Sequence, residues 1–402
     1  MNISRWHKKD VELTWNGQRT RYAVAQELFS SHEVDAGSKL LLKSLDMTRF
    51  SGSGLAVDFG CGYGVLGLAW KSAMPGWDVL LIDRDALAVE FSHWNATAMG
   101  FTEPTVRART GLGVDMVPPE GAGLILWNVP GKAGELVIGS LTADVVGALV
   151  QGGTAAMVVV NPLASAIRAV LEADPTVTII HDEAFAEHTI IHATPVGPAD
   201  VAPDPFERGV FDGERSEFGV DDFEYDITSV VGVPEYDSYS FATQVTFDLL
   251  RAVNQEVESI LVFRPGQGHV AAVAGHGFQP ASLAILDRDT LALRASIRTM
   301  VDAGVRVPRV AMVAASDLAG ARDIGTFSLV ILMLEDQVRN DIHVARLEDL
   351  AILVERGGQV IVGGTSSVVS RFLSFVAKTK GWKVRDRTKR SGASAARIER
   401  VE

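Results

Sequence analysis

The chain holds a single cysteine, Cys61, among 402 residues. One thiol cannot close an internal disulfide or build a cysteine-rich zinc site, so cohesion has to come from packing. The nine histidines show no metal-ligand spacing, and no metal site is expected. Long apolar runs are missing too: none reaches the roughly 18 residues of a membrane-spanning helix. Met1 to Asp10 carries basic side chains with no apolar signal core behind them. The expected address is the cytoplasm, with no membrane.

An excess of positive charge is also lacking. The net charge is −13, which taken alone speaks against phosphate binding. The distribution changes that reading. Between Asp182 and Asp237 stand 15 Asp or Glu against two Arg, so this stretch accounts for the whole excess and the remainder is neutral. Basic clusters remain at Arg5, Lys8, Lys9, Arg19 and Arg21, and at Lys378, Lys380, Lys383, Arg385, Arg387, Lys389 and Arg390. An RNA partner is therefore not excluded.

What is present is an alternation of β-branched apolar runs with amphipathic segments of helix length, the pattern of an α/β domain with a mostly parallel sheet. In the first half the predicted strands are 55–59, 79–82, 105–108, 123–127 and 154–160, followed by 177–180 and 189–193 as an antiparallel pair. Helices are predicted over 85–99 and 164–173. The second half repeats the order. Leu286-Asp287-Arg288-Asp289 matches Ile82-Asp83-Arg84-Asp85 at an offset of 204, and Arg264-Pro265-Gly266-Gln267-Gly268 matches Asp58-Phe59-Gly60-Cys61-Gly62 at 206. Leu353 to Gly358 echoes Leu149 to Gly153 at 204 to 205. Three landmarks in one order indicate a tandem duplication. The expected division is a first domain at 1–195, an acidic linker or lid at 196–237, and a second copy at 238–402. Each domain is expected to be Rossmann-like, around a seven-stranded sheet.

Leu55 to Gly67 reads as a buried strand, a glycine turn and the start of a helix. Glycine suits such a turn because it accepts unusual backbone angles and lets a ligand approach bare backbone. The order acid-x-Gly-x-Gly-x-Gly, in Asp58, Gly60, Cys61, Gly62 and Gly64, differs from the dinucleotide pattern, since Val65 stands where that pattern has its third glycine. A carboxylate at Asp58 suits the ammonium of S-adenosylmethionine and would repel a pyrophosphate. Asp83 ends the next strand, where an acid can accept hydrogen bonds from ribose hydroxyls. Arg84 and Thr110 are the candidates for the adenine edge. Asn128, followed by Pro130, ends the fourth strand, where side-chain and main-chain oxygens can hold an acceptor amine for methyl transfer.

With Phe29-Ser30 and Asp35-Ala36-Gly37-Ser38-Lys39-Leu40-Leu41-Leu42 ahead of the loop, the tandem halves resemble the ribosomal RNA guanine-N2 methyltransferases, which carry one degenerate and one catalytic class I domain. The resemblance implies that Asp58, Gly60, Gly62 and Gly64 hold the cofactor and that Asp83 binds its ribose. Asn128 with Pro130 then matches the Asn-Pro-Pro-aromatic motif that holds the amine. It further implies an RNA substrate, ribosomal RNA or a ribosomal subunit. Two departures stand out. The better motifs lie in the first copy, where the family usually has the degenerate one. Val129 and Gly131 replace the motif's first proline and its aromatic.

In the second copy, Arg264 is aligned with Asp58, and Met333-Leu334-Glu335-Asp336 with Asn128 to Gly131. This copy is expected to be degenerate and to serve structure or docking. Two other readings remain open: a small-molecule or protein acceptor, and a noncatalytic adaptor.

Overall fold

Two-residue alternation sets the first elements. In the computed structural model, which describes residues 3–335 and 339–402, β1 (His7–Trp15) turns Val11 and Leu13 inward between exposed polar neighbours. It pairs antiparallel with β2 (Gln18–Ala25). Neither strand is foreseen from the sequence, because only two side chains of β1 are buried.

Then come α1 (Ala36–Ser44), β3 (Leu55–Phe59), α2 (Val65–Ala73), β4 (Asp78–Asp83), α3 (Ala86–Ala98), β5 (Val106–Thr110) and β6 (Ala122–Asn128). The first unit continues with α4 (Glu135–Gly147), β7 (Leu149–Val160), α5 (Ala164–Ala173), β8 (Val177–Ala184) and β9 (His188–Pro195). Its seven-stranded sheet has the order β5-β4-β3-β6-β7-β9-β8, parallel except at β9. Strands buried on both faces need apolar side chains throughout, and Ala56, Val57, Leu124, Ile125 and Leu126 are all buried.

The second unit comprises β10 (Asp212–Val220), β11 (Phe223–Val230), α6 (Phe241–Leu250), β12 (Ser259–Phe263), α7 (His269–Phe278), β13 (Ser282–Asp287) and α8 (Thr290–Asp302). After these stand β14 (Arg309–Ala314), β15 (Phe327–Leu334), α9 (Asn340–Leu353), β16 (Val354–Thr365), α10 (Ser366–Val376), β17 (Trp382–Arg390) and β18 (Ala393–Arg400). The strand order, β14-β13-β12-β15-β16-β18-β17, is that of the first sheet. Alternate residues feed two cores: Ile260, Val262 and Ile285 one, Leu261, Phe263 and Leu286 the other.

The duplication is more complete than its three landmarks. His7 corresponds to Asp212, Leu55 to Ser259 and Ala122 to Phe327, at offsets of 204 or 205. Each copy thus begins with its own hairpin, and this corrects the expected linker. The chain divides into Met1–Phe211 and Asp212–Glu402. Residues 196–211 pack on the first unit through buried Phe206 and Phe211 and an Arg208–Asp144 ion pair. The acidic remainder is largely the second hairpin, which buries Phe218, Val220, Phe223, Tyr225 and Ile227 while Glu214, Glu217, Asp221, Asp222 and Glu224 face water. Its acids are the outer face of a strand pair, not a mobile charge run.

Candidate active site

The glycine loop joins β3 to α2 at the carboxyl edge of the first sheet. Gly60, Gly62 and Gly64 have φ of 71°, 56° and 86°, a region where a side chain would be strained. A Cβ at Gly60 or Gly62 would meet nothing within 4 Å, so the bare backbone borders open space. The loop is pinned from below: the Gly60 and Cys61 amides donate to the Ile82 carbonyl at 2.9 and 3.0 Å, and Gly64 donates to the Cys61 carbonyl at 2.8 Å. Cys61 itself is buried with Sγ 3.3 Å from Ser92 Oγ. Burial pushes its thiol well above the usual range. Both its backbone groups and its side chain are turned into the protein, so its part is the shape of the turn.

Asp58 lies beneath the loop. It is buried, and its Oδ2 accepts the Gly67 amide at 2.8 Å, which ties the strand to the first turn of α2. Helix and strand approach closely at Gly67, where a Cβ would stand 2.5 Å from Leu81 Cδ2 and 3.0 Å from Asp58 Cβ, so a larger residue would require Leu81 to shift. The second oxygen, Oδ1, is buried without a hydrogen-bond partner. Burial, reinforced by the Asp83 charge, raises the Asp58 carboxyl to about 7, against the opposing Gly67 hydrogen bond. A buried carboxylate with an unmatched oxygen is what a nearby cationic ligand would relieve.

Asp83 is half-buried at the end of β4. Its Oδ2 accepts the Gly62 amide at 2.8 Å and its Oδ1 the Asp85 amide at 2.9 Å. Each oxygen keeps a lone pair for a hydroxyl. Burial first, and then Asp85, lifts its carboxyl to about 6. The N-cap of α3 is Asp85, which accepts the Leu87 amide at 3.0 Å, so Asp83 is not spent as the cap. Arg84 follows it, half-buried, and Thr110 ends β5 opposite Asp83.

Asn128 ends β6 at the same edge. Its Nδ2 donates to Asp35 Oδ2 at 3.0 Å and to Ser38 Oγ at 3.1 Å. A carboxylate only accepts, so the amide nitrogen must face Asp35 and the carbonyl oxygen must face away. Pro130 and Gly131 beyond it are exposed, and a Cβ at Gly131 would meet only Val160, at 3.6 Å. Trp127 is buried against Phe59, with ring centroids 5.2 Å apart, and does not replace the missing ring.

Several supports are not legible in the sequence. Buried Asn95 in α3 accepts the Ala23 amide at 2.8 Å and donates to the carbonyls of Ala23 and Tyr63 at 3.1 and 2.9 Å. The first hairpin therefore buttresses the loop. A polar residue on the apolar face of α3 was the available signal. Asp35 and Ser38 had a signal only in the segment ahead of the loop. His192, in the predicted strand pair, is buried and bonds Ser44 Oγ at 2.9 Å.

The second copy also corrects the alignment of the loops. Arg264 donates its amide to the Leu286 carbonyl at 2.8 Å, as Gly60 does to Ile82. The counterpart of Asp58 is therefore Val262, and Arg264 stands for Gly60 with φ of 58°. The offset of 206 slipped because two glycines two residues apart match either way. Pro265 replaces the Cys61 amide donor. The Arg264 side chain is nearly buried over the Phe263 ring and pairs with Glu335. Its charge offsets part of the burial that lifts Asp287, the counterpart of Asp83, to about 6. Met333, Leu334 and Glu335 are the counterparts of Asn128, Val129 and Pro130, and Asp336 lies outside the described residues. With a valine for the loop acid and a guanidinium beside the ribose acid, a second cofactor should not bind. Titration calorimetry is expected to give one S-adenosylmethionine per chain, and a ratio near two would overturn that.

Among the described residues no cluster of three or more His, Cys, Asp or Glu could hold a metal. No helix among them is long and apolar enough to cross a membrane.

Residues 21–179 match the family model described as the methyltransferase small domain. Over 107 residues, 27% of the chain, it is 41% identical to ribosomal RNA small subunit methyltransferase C of Pseudomonas syringae pv. tomato, and the match spans 30% of that relative's length. A Bacillus subtilis protein without assigned function is 34% identical over 111 residues, 28% of this chain and 54% of its own. The chain is similar over its whole length, at 13% identity and a TM-score of 0.67, to all of a 16S rRNA N2 methyltransferase from T. thermophilus solved with AdoMet and guanosine. That likeness shows the fold alone: two tandem domains, each with the class I methyltransferase fold.

Proposed function

We propose that the first unit binds S-adenosylmethionine over the glycine loop and directs methyl transfer to an exocyclic amine of an RNA base, guanine N2 of ribosomal RNA being the favoured acceptor. The observation that carries this reading is the outward carbonyl of Asn128 at the sheet edge that also holds the glycine loop. The open face over Gly60 and Gly62, the unmatched oxygen of Asp58 and the free lone pairs of Asp83 fit the cofactor. Arg84 and Thr110 are assigned to its adenine side. The names of the relatives support ribosomal RNA as acceptor, and the work is then cytoplasmic.

When bound, S-adenosylmethionine supplies a methyl group made electrophilic by its sulfonium. Asn128 accepts a hydrogen bond from the acceptor amine, which orients the nitrogen lone pair, and Pro130 restrains the chain that follows. Gly131 offers no ring for stacking, worth about 1 to 3 kcal/mol per base. This observation keeps a second reading open, in which the acceptor is a small molecule or a protein. The test is transfer of labelled methyl to small ribosomal subunits and to free ribosomal RNA, with mass spectrometry of the nucleosides. N2-methylguanosine is the expected product. Label resistant to RNase would move the assignment to the second reading.

RNA needs basic surface elsewhere. Arg19 and Arg21 pair with Glu12 and Asp10, and Lys8 bonds Ser31 and His32. Two of the five cations of the N-terminal cluster, expected from the sequence as basic surface, are thus paired with carboxylates. The edge strand β17 exposes Lys383, Arg385, Arg387, Lys389 and Arg390, of which Arg385 pairs with Glu399. Replacing these five by glutamine is expected to slow RNA methylation and to lower the salt slope by about 0.7 for each phosphate no longer neutralised. Cofactor affinity should not change. Unaltered salt dependence would remove β17 from the RNA path.

A further inference from the structure

We propose that Asp35 is a positioning residue for methyl transfer: its carboxylate, with Ser38, sets which end of the Asn128 amide meets the acceptor. The inference rests on the proposed role of Asn128 and deepens it. Asp35 Oδ2 accepts two hydrogen bonds, from the Ser38 amide at 3.0 Å and from Asn128 Nδ2 at 3.0 Å. Ser38 is buried, and its Oγ lies 3.1 Å from the same Nδ2. The two N–H groups of Asn128 therefore have two acceptors, both on the first turn of α1 or its cap.

This arrangement matters because an amide can turn over. Oxygen and nitrogen of asparagine differ little in size, and only their partners choose between them. Were Asn128 reversed, it would present N–H donors to an amine that itself has N–H groups to donate. A carboxylate at position 35 forbids the reversal, since it has no hydrogen to give. Gly37 keeps the bracket tight: a Cβ there would stand 2.8 Å from Asp35 Oδ2. One oxygen thus serves both the helix cap and the orientation of Asn128, and the two roles can be separated by substitution.

Serine is also a good N-cap, but its hydroxyl is too short to reach Asn128. Asparagine can place its carbonyl oxygen where Oδ2 stands and accept both bonds. Asp35→Ser is therefore expected to melt close to the wild type and to bind S-adenosylmethionine equally well, while its single-turnover methylation of ribosomal RNA falls on the order of tenfold or more. Asp35→Asn is expected to recover most of that rate. Wild-type turnover in Asp35→Ser overturns the inference. So does a loss that tracks melting temperature or cofactor affinity, or a loss that Asp35→Asn does not repair. Asn128→Ala is measured beside them: if it keeps the wild-type rate, the role of Asn128 fails. A slow Asn128→Ala with a fast Asp35→Ser leaves that role standing and sinks only the one proposed for Asp35.

Discussion

Replacing Asn128 by alanine is expected to lower kcat for RNA methylation on the order of 100- to 1000-fold, the range for deleting one preorganised polar group at a reacting centre. Cofactor affinity should stay within about twofold, because no bond of Asn128 reaches the glycine loop or Asp83. The size follows from what the side chain does. Its carbonyl is held outward by two hydrogen bonds formed before any acceptor arrives, so orientation costs nothing further at the moment of reaction. Asn128→Asp tests the same geometry from the other side. It brings two carboxylates within hydrogen-bond reach at Asp35, which forces them to share a proton. The variant is expected to lose activity as pH rises and that proton leaves. A kcat for Asn128→Ala near the wild type would remove this residue from the chemistry.

Much of this site could be read without coordinates, and the reasons differ by element. The strand-turn-helix of 55–67 was legible because one contiguous string carries both its burial pattern and its glycines. β3 and α5 fall on the predicted bounds, and the other sheet strands of the first unit were located with ends that differ by a few residues. Strand ends are set by pairing with neighbours, which local sequence does not contain. The hairpins failed for a different reason. β1 is mostly polar, and in β10–β11 the acids hide an alternation that is plain from Phe218 to Ile227 once attention leaves charge. The hydrogen bond between Asp35 and Asn128 joins positions 93 apart, and no local pattern carries such a distance. The slipped alignment at Arg264 has the same origin: glycines spaced by two fit at either offset, and only the hydrogen bond to Leu286 decides.

Affinity for S-adenosylmethionine should depend on pH through Asp58, and the sign follows from its environment. In the ligand-free protein burial raises this carboxyl to about 7, well above its range in an unfolded chain. The folded state therefore holds the extra proton between about pH 4 and 7, and stability from this group falls as pH rises through that window. Binding runs the other way. A cationic ligand favours the carboxylate, so below pH 7 it must displace a proton. At pH 6 about a tenth of Asp58 is ionised, and affinity is expected to be roughly tenfold weaker than at pH 8, where the curve flattens. Asp83, raised to about 6, adds a smaller dependence below that. Calorimetry at pH 6 in buffers of different ionisation enthalpy should show close to one proton released per cofactor bound. Asp58→Asn keeps an acceptor for the Gly67 amide but has no charge to offer. It is expected to bind more weakly by about 1.5 to 3 kcal/mol at pH 8, the scale of a hydrogen bond to a charged group, and to lose most of the pH dependence. Wild-type affinity in that variant, or no proton release at pH 6, would mean that Asp58 serves the loop alone and that the cofactor is held without it.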